Sequence, residues 1–166
     1  MGEIKYDSDK AHYVVATAII IKNGKYLIAK RAAHEKAFPN QWTVPGGKLE
    51  LHEYQTRSSD TGVLWYNILE NLVKREVDEE VSLKIKNINY VTSIAYIRED
   101  GIPTLIVSLS ADYDSGEVVL CDALTDYAWV SLEESRKYEL IDGIFEELEM
   151  LDKKLKGEEM GEWKRG

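Results

Sequence analysis

The sequence predicts an α+β fold in which a mixed β-sheet lies between helices. Three observations carry that expectation. Two pairs of apolar runs rich in β-branched residues are each joined by a turn of the Asn-Gly or Asp-Gly kind, a long amphipathic helix separates the pairs, and a second helix follows the last strand. Strands and helices in that order, with some strands too far apart in the chain to be hairpin neighbours, call for a sheet covered on both faces.

Ala11 to Ile21 reads AHYVVATAIII and suits a pleated, half-buried surface. Lys22-Asn23-Gly24-Lys25 then predicts a tight hairpin turn into a second strand, Tyr26 to Arg31. Ala32 to Gln41 shows no periodicity, and Trp42 to Val44 predicts a short strand ending in Pro45-Gly46-Gly47, where glycines let the backbone approach a ligand without a Cβ in the way. Tyr54 to Thr61, polar and turn-prone with Gly62 behind it, reads as an exposed loop. Leu69, Leu72, Val73, Val77 and Val81 recur at three and four residues, which predicts a helix from Trp65 to about Val81. Asn89 to Tyr96 and Thr104 to Leu109 form a second hairpin around Arg98-Glu99-Asp100-Gly101. Val118 to Cys121 is a further apolar run, and Tyr127 to Val130 reads as the last strand. Leu140, Ile144, Phe145, Leu148 and Leu151 share one face of a C-terminal helix, followed by a polar tail over 157–166 that is expected to fray.

A chain of 166 residues fits one domain spanning 1–166, with no internal repeat. No apolar run approaches membrane-spanning length, and the N-terminal MGEIKYDSDKAHY is too polar for a signal peptide. Cys121 is the only cysteine, so an internal disulfide is excluded and a reducing cytoplasm is the expected compartment. A formal charge of −9 argues against gripping long nucleic acid through its phosphates and leaves room for a small phosphorylated substrate escorted by a cation.

The chemistry concentrates between Pro45 and Leu83. Glu76, Glu79 and Glu80 stand at i, i+3 and i+4, so a helix puts three carboxylates on one face, about 5–6 Å apart. Such pairs repel by roughly 0.2–0.5 kcal/mol each. Alone, an acidic run of this kind reads as a solvated helix face. Next to Pro-Gly-Gly, it is the arrangement that a hard divalent cation neutralises, because Mg²⁺ or Mn²⁺ takes one or two carboxylates and completes its octahedron with water and phosphate oxygens.

Gly47-Lys48-Leu49-Glu50-Leu51-His52-Glu53, followed by Arg75-Glu76-Val77-Asp78-Glu79-Glu80-Val81-Ser82-Leu83, resembles the Nudix box. That box runs glycine, five residues, Glu, seven residues, then Arg-Glu-apolar-x-Glu-Glu-x-Gly-apolar. Two departures stand out. Twenty-one residues lie between Glu53 and Arg75, an insertion of about fourteen, and Ser82 occupies the place of the closing glycine. The break could fall anywhere from Leu51 to Asn67, and the spacing from Gly47 favours placing it after Glu53.

The resemblance implies an α/β/α sandwich and hydrolysis of a nucleoside diphosphate linked to a group X. It makes Glu79, Glu80 and the Gly46 carbonyl the metal ligands, with Mg²⁺ or Mn²⁺ as cofactor. It makes Glu76 a further ligand or the base, and Arg75 the group that orients Glu53. A base outside the box is also expected, with Asp122 first and Asp126 second. His12, His34 and His52 read as solvated or packed side chains, and Trp42, Trp65, Tyr96 and Tyr127 as core more than base-stacking surfaces. The insertion is expected to be a mobile flap over the metal site, with Arg57 in reach of a phosphate. A passive loop or a homodimer contact are its other readings. The alternative to an enzyme is a catalytically impaired Nudix-fold sensor of nucleotides, and the presence of Glu53, Arg75, Glu76, Glu79 and Glu80 leans against it. An acidic interaction scaffold would account for the charge but not for Pro-Gly-Gly.

Overall fold

The computed structural model describes residues 2–3, 5–159 and 161–165. Seven strands form one sheet: β1 (Tyr13–Lys22), β2 (Lys25–Arg31), β3 (Trp42–Thr43), β4 (Gly46–Lys48), β5 (Lys84–Ile97), β6 (Pro103–Ser115) and β7 (Leu124–Val130). Its main path runs β3-β2-β1-β6-β5, with β4 on β1 and β7 on β2. β1 and β6 are parallel, whereas every other pair is antiparallel, so the sheet is mixed as expected. The helices are α1 (His52–Gln55), α2 (Ile68–Val81), α3 (Leu132–Ser135) and α4 (Ile144–Leu155). No described helix is long and apolar enough to cross a membrane.

The two-residue period of β1 decides which core each side chain joins. Ala16, Ala18 and Ile20 face α2, packing with Leu72, Val73, Val77 and Val81. Ile19 faces the other way, into a second core with Ile144, Leu148 and Leu151 of α4. One helix on each face makes the α/β/α sandwich. The β1–β2 turn has Asn23 at φ 52° and Gly24 at φ 74°, the left-handed pair that lets a two-residue turn follow the twist of its strands.

Three expected boundaries move. The helix expected from Trp65 starts at Ile68, because Asn67 adopts a left-handed conformation at φ 56° and breaks the run. Val118 to Cys121 forms no strand, since its amides are used elsewhere: Val119 N donates to Val81 O and Cys121 N to Glu80 O, capping the last turn of α2. Leu140 precedes α4, bridging to Trp42 of β3, because Gly143 at φ 92° separates it from the helix. Ser131 and Glu134 form a full capping box on α3. The tail beyond Gly157 carries no helix or strand over its described residues, and Met160 and Gly166 lie outside them.

Candidate active site

The site begins with the alternation of backbone bonds between β1 and β4. Ala18 N donates to Pro45 O and Leu49 N to Val14 O, which makes Ala16 and Gly47 the next bonded pair and leaves Gly46 opposite Thr17 in the unbonded position. The N–H and C=O of Gly46 therefore turn away from β1. No larger residue fits there, because a Cβ on Gly46 would lie 2.5 Å from Ala16 O and 2.8 Å from Thr17 Cα. At Gly47, a Cβ would overlap the Glu76 carboxylate itself. The two glycines thus bring β4 directly against the acidic face of α2.

On that face Arg75 gathers carboxylates. Its Nε donates to Glu53 Oε1 at 2.6 Å, while its terminal nitrogens reach Glu76 Oε1 at 2.8 Å and Glu79 Oε2 at 2.9 Å. Glu53 Oε2 in turn accepts from Glu50 N at 2.6 Å. The expected partnership of Arg75 with Glu53 is present, and it identifies the inserted residues. Helix α2 supplies the seven residues from Ile68 to Lys74 before Arg75, so the insertion is Tyr54 to Asn67.

Glu76 and Glu80 face one another one helical turn apart. Burial first, then the neighbouring Glu76 charge and its hydrogen bond, push Glu80 up to about 8, against the opposing pull of the Gly46 amide and Arg31. Burial also raises Glu76, with Arg75 the main opposing influence. Crowding of this kind favours one proton shared by the pair. Among the described residues, no three His, Cys, Asp or Glu side chains converge as a ready-made metal site. Glu79 is bonded to Arg75 at 2.9 Å. The donors nevertheless suit a hard divalent cation: two carboxyls in contact, a third one turn away, and the Gly46 carbonyl turned off the sheet.

Ser82 closes α2 in the left-handed conformation, φ 60° and ψ 30°, that glycine would take at lower cost. Its Oγ donates to Val119 O at 3.2 Å, fastening the loop that also caps Val81 and Glu80. That fastening sets Ala123 and Leu124 into a cleft of about 160 Å³ with Glu80, Gly46, Thr17, Thr43 and Arg31. Asp122 is exposed one residue before this cleft and its side chain does not line it. Asp126 lies on β7, opposite Lys30 of β2, with its Oδ1 accepting from Tyr127 N, and does not line the cleft. Arg31 and Thr17 escaped the sequence reading: the signal was the charged end of an apolar strand, Lys30-Arg31, which had been ascribed to a strand terminus.

The insertion differs from the expected flap. Arg57, expected within reach of a phosphate, is instead bonded to Asp60 at 3.0 and 3.2 Å on the loop's exposed surface. Asp60 also accepts from Tyr66 N at 2.8 Å, Trp65 Nε1 donates to Arg57 O at 3.1 Å, and the Tyr54 and Trp65 rings pack at 5.5 Å. This is a compact loop folded on its own side chains. It covers the Glu53–Arg75 side of the cluster and encloses a second cleft there, leaving the Gly46–Glu80 side open.

The site is thus a half-buried carboxylate cluster on a helix, set against the glycines of β4 in a mixed sheet. No family model matches the chain. It is 24% identical over 136 residues to nucleoside triphosphatase NudI of Klebsiella pneumoniae, covering 76% of this chain and 86% of that protein. It is 32% identical over 119 residues to the NAD-capped RNA hydrolase NudC of Erwinia tasmaniensis, covering 69% of this chain but only 38% of that relative. The fold is similar to a MutT NUDIX hydrolase of Burkholderia pseudomallei, with a TM-score of 0.68 at 21% identity over 86% of this chain and 99% of that one. The chain has the fold of the Nudix hydrolases.

Proposed function

We propose that the protein is a Mg²⁺- or Mn²⁺-dependent hydrolase of a nucleoside diphosphate linked to a group X, built as one Nudix domain over 1–166 and working in a reducing cytoplasm. The observation that carries this reading is the half-buried Glu76–Glu80 pair beneath Gly46, with Arg75 holding Glu53 and Glu79 beside it. Glu79, Glu80 and the Gly46 carbonyl would hold the metal, with Glu76 beside them. Bound there, the cation would lower the pKa of a coordinated water and neutralise charge on the diphosphate.

The chain's own groups supply the rest. Water attacks a diphosphate phosphorus, the new P–O bond forms as the bridging P–O bond breaks, and the proton from water passes to a carboxylate. Glu76 is the candidate base inside the box. Asp122, exposed and without a hydrogen-bonding partner among the described residues, is the candidate outside it. Arg75 is a positioning residue, since its rigid fork fixes carboxylates and touches no reacting atom. Arg31 also lines the cleft, with its guanidinium bonded to Ala37 O at 2.8 Å and Glu35 Oε2 at 3.3 Å, so a substrate phosphate there would compete with Glu35 for it.

Product release from a panel of nucleoside triphosphates, nucleoside diphosphate sugars and dinucleotides, with Mg²⁺ and with EDTA, tests the reading. Metal-dependent cleavage of at least one compound is expected. Binding of nucleotides with no cleavage under any metal would replace the enzyme with a sensor.

A further inference from the structure

The sheet ends on β5, and among the described residues no strand pairs with its outer edge. Such an edge is a row of unpaired N–H and C=O groups, a template for another chain unless something blunts it. The first half of β5 is blunted. Its register with β6 shifts at Lys84/Ile85, Lys86/Asn89 and Tyr90/Thr92, Lys84 and Lys86 bring charge, and Lys154 Nζ of α4 donates to Tyr90 O at 3.3 Å. The second half is not. Thr92 to Ile97, TSIAYI, pairs with β6 in unbroken register, contains no charge and no proline, and leaves Tyr96 41% and Ile97 76% exposed.

We propose that this half-strand is the interface of a homodimer, pairing antiparallel with the same segment of a second copy about a two-fold axis at Ala95. The proposal is independent of the hydrolase reading. The backbone selects the register. Arg98 N donates to Ile102 O, so Arg98 stands in a bonded pair with β6, and alternation turns the N–H and C=O of Ile97, Ala95 and Ser93 outward. Pro103, with no N–H to give, stands opposite Ile97 as that alternation requires. Setting Ala95 opposite its own copy, and Ser93 opposite Ile97, engages all three residues of each chain in about six backbone bonds. The side chains then match. Ile94 meets Tyr96, a β-branched and aromatic pair, on the face that Ile94 shares with the start of α4, while the small Ala95 meets itself on the axis. Beyond the paired stretch, Arg98, Glu99 and Asp100 run toward Thr92, Val91 and Tyr90 of the other copy, so no charge faces another. A strand complementary to itself selects a second copy as its occupant. The other end of the main path, β3, is two residues long, so the pairing closes at two copies. The Gly46 cleft lies across β6 and β1 from this edge and stays open.

Sedimentation of the full chain tests this. At about 100 µM, above the micromolar range expected of a small interface, wild type should approach twice its 19.0 kDa and fall back toward it on dilution. Ala95→Pro should stay at 19.0 kDa, because it removes an outward N–H and leaves the bonds to β6 intact. Its far-UV spectrum and melt check that it folds. Ala95→Lys, which sets two ammonium groups face to face on the axis, should give the same loss and decides the matter if the proline variant unfolds. Val63→Ser, at the exposed tip of the insertion, should dimerise as wild type does. Register is read by cross-linking in a Cys121→Ser background with oxidised glutathione. Ala95→Cys should form a disulfide between copies, since its Cα atoms would stand about 5.5 Å apart. Ser93→Cys should not, because its copies would be displaced by about 13 Å along the strands. Wild type that remains at 19.0 kDa overturns the proposal, as does a dimer that survives both Ala95→Pro and Ala95→Lys. A dimer in which Ser93→Cys cross-links as readily as Ala95→Cys, or Ala95→Cys not at all, overturns it too.

Discussion

Glu80→Gln isolates the most strained charge in the molecule. With its carboxyl pushed from the ordinary 4.5 up to about 8, Glu80 is protonated in the metal-free protein at neutral pH. An acid whose pKa is raised by folding contributes its full stability below the unfolded value and loses it as pH climbs through the folded one. The metal-free protein should therefore weaken from about pH 4.5 and level off above about pH 8. Gln mimics the protonated acid and does not titrate. Between pH 6 and pH 9, two pH units of that loss fall to wild type alone, at most about 2.7 kcal/mol, with water entry reducing the figure. In a domain of this size that is about 5–10 °C of melting temperature. Melts in EDTA at both pH values should show the gap between variant and wild type opening by that amount in the variant's favour. In Mg²⁺ the order should reverse, because wild type gains a ligand set and the variant does not, and the wild-type gain should grow with pH as the displaced proton becomes easier to lose. Parallel pH curves for the two proteins in EDTA would refute the shared proton. Equal Mg²⁺ stabilisation would refute the ligand assignment.

Glu79→Gln should lower turnover at least about a hundredfold while leaving the metal-free fold intact, since it removes a charge from a crowded helix face; activity and melts on one preparation check both. Ser82→Gly should raise stability by about 0.5–1 kcal/mol by relieving a left-handed serine, less whatever the Ser82 Oγ to Val119 O bond contributes, read as a small rise in urea midpoint. Glu147, only 4% exposed on α4 and raised to about 7 chiefly by burial, faces Ser108 without a well-formed bond at Oε1. Glu147→Gln should therefore flatten the loss of stability that wild type shows between about pH 4.5 and 7, measured in EDTA beside Glu80→Gln.

Local chemistry made much of this legible. Asn23-Gly24 and Asp100-Gly101 marked their hairpins because few other pairs accept the turns, and Glu76, Glu79 and Glu80 declared their shared face by spacing alone. What was hidden depended on partners distant in the chain. Val118 to Cys121 has strand composition, yet its amides are claimed by the carbonyls of Glu80 and Val81. Leu140 continues the apolar period of α4 but belongs to the edge beside Trp42. Glu147 falls within the stripe of Ile144, Leu148 and Leu151, so its burial could have been read from the period, had acidity not argued for solvent.

The insertion shows why a broken motif can keep its geometry. Glu53 and Arg75 stand 22 positions apart in sequence and 2.6 Å apart in space. Tripling the connection between them adds about 1 kcal/mol of loop-closure entropy, because that cost grows only as the logarithm of length. A flexible loop would leave that cost uncompensated. Here Asp60 takes up bonds from Arg57 and from the Tyr66 amide, and the Tyr54–Trp65 contact buries ring surface, interactions of the size needed to offset it. None of this was visible in a stretch whose composition is that of an ordinary turn. Asp60 was the missed residue: one carboxylate placed to satisfy both ends of its loop is what turns a polar connection into a wall.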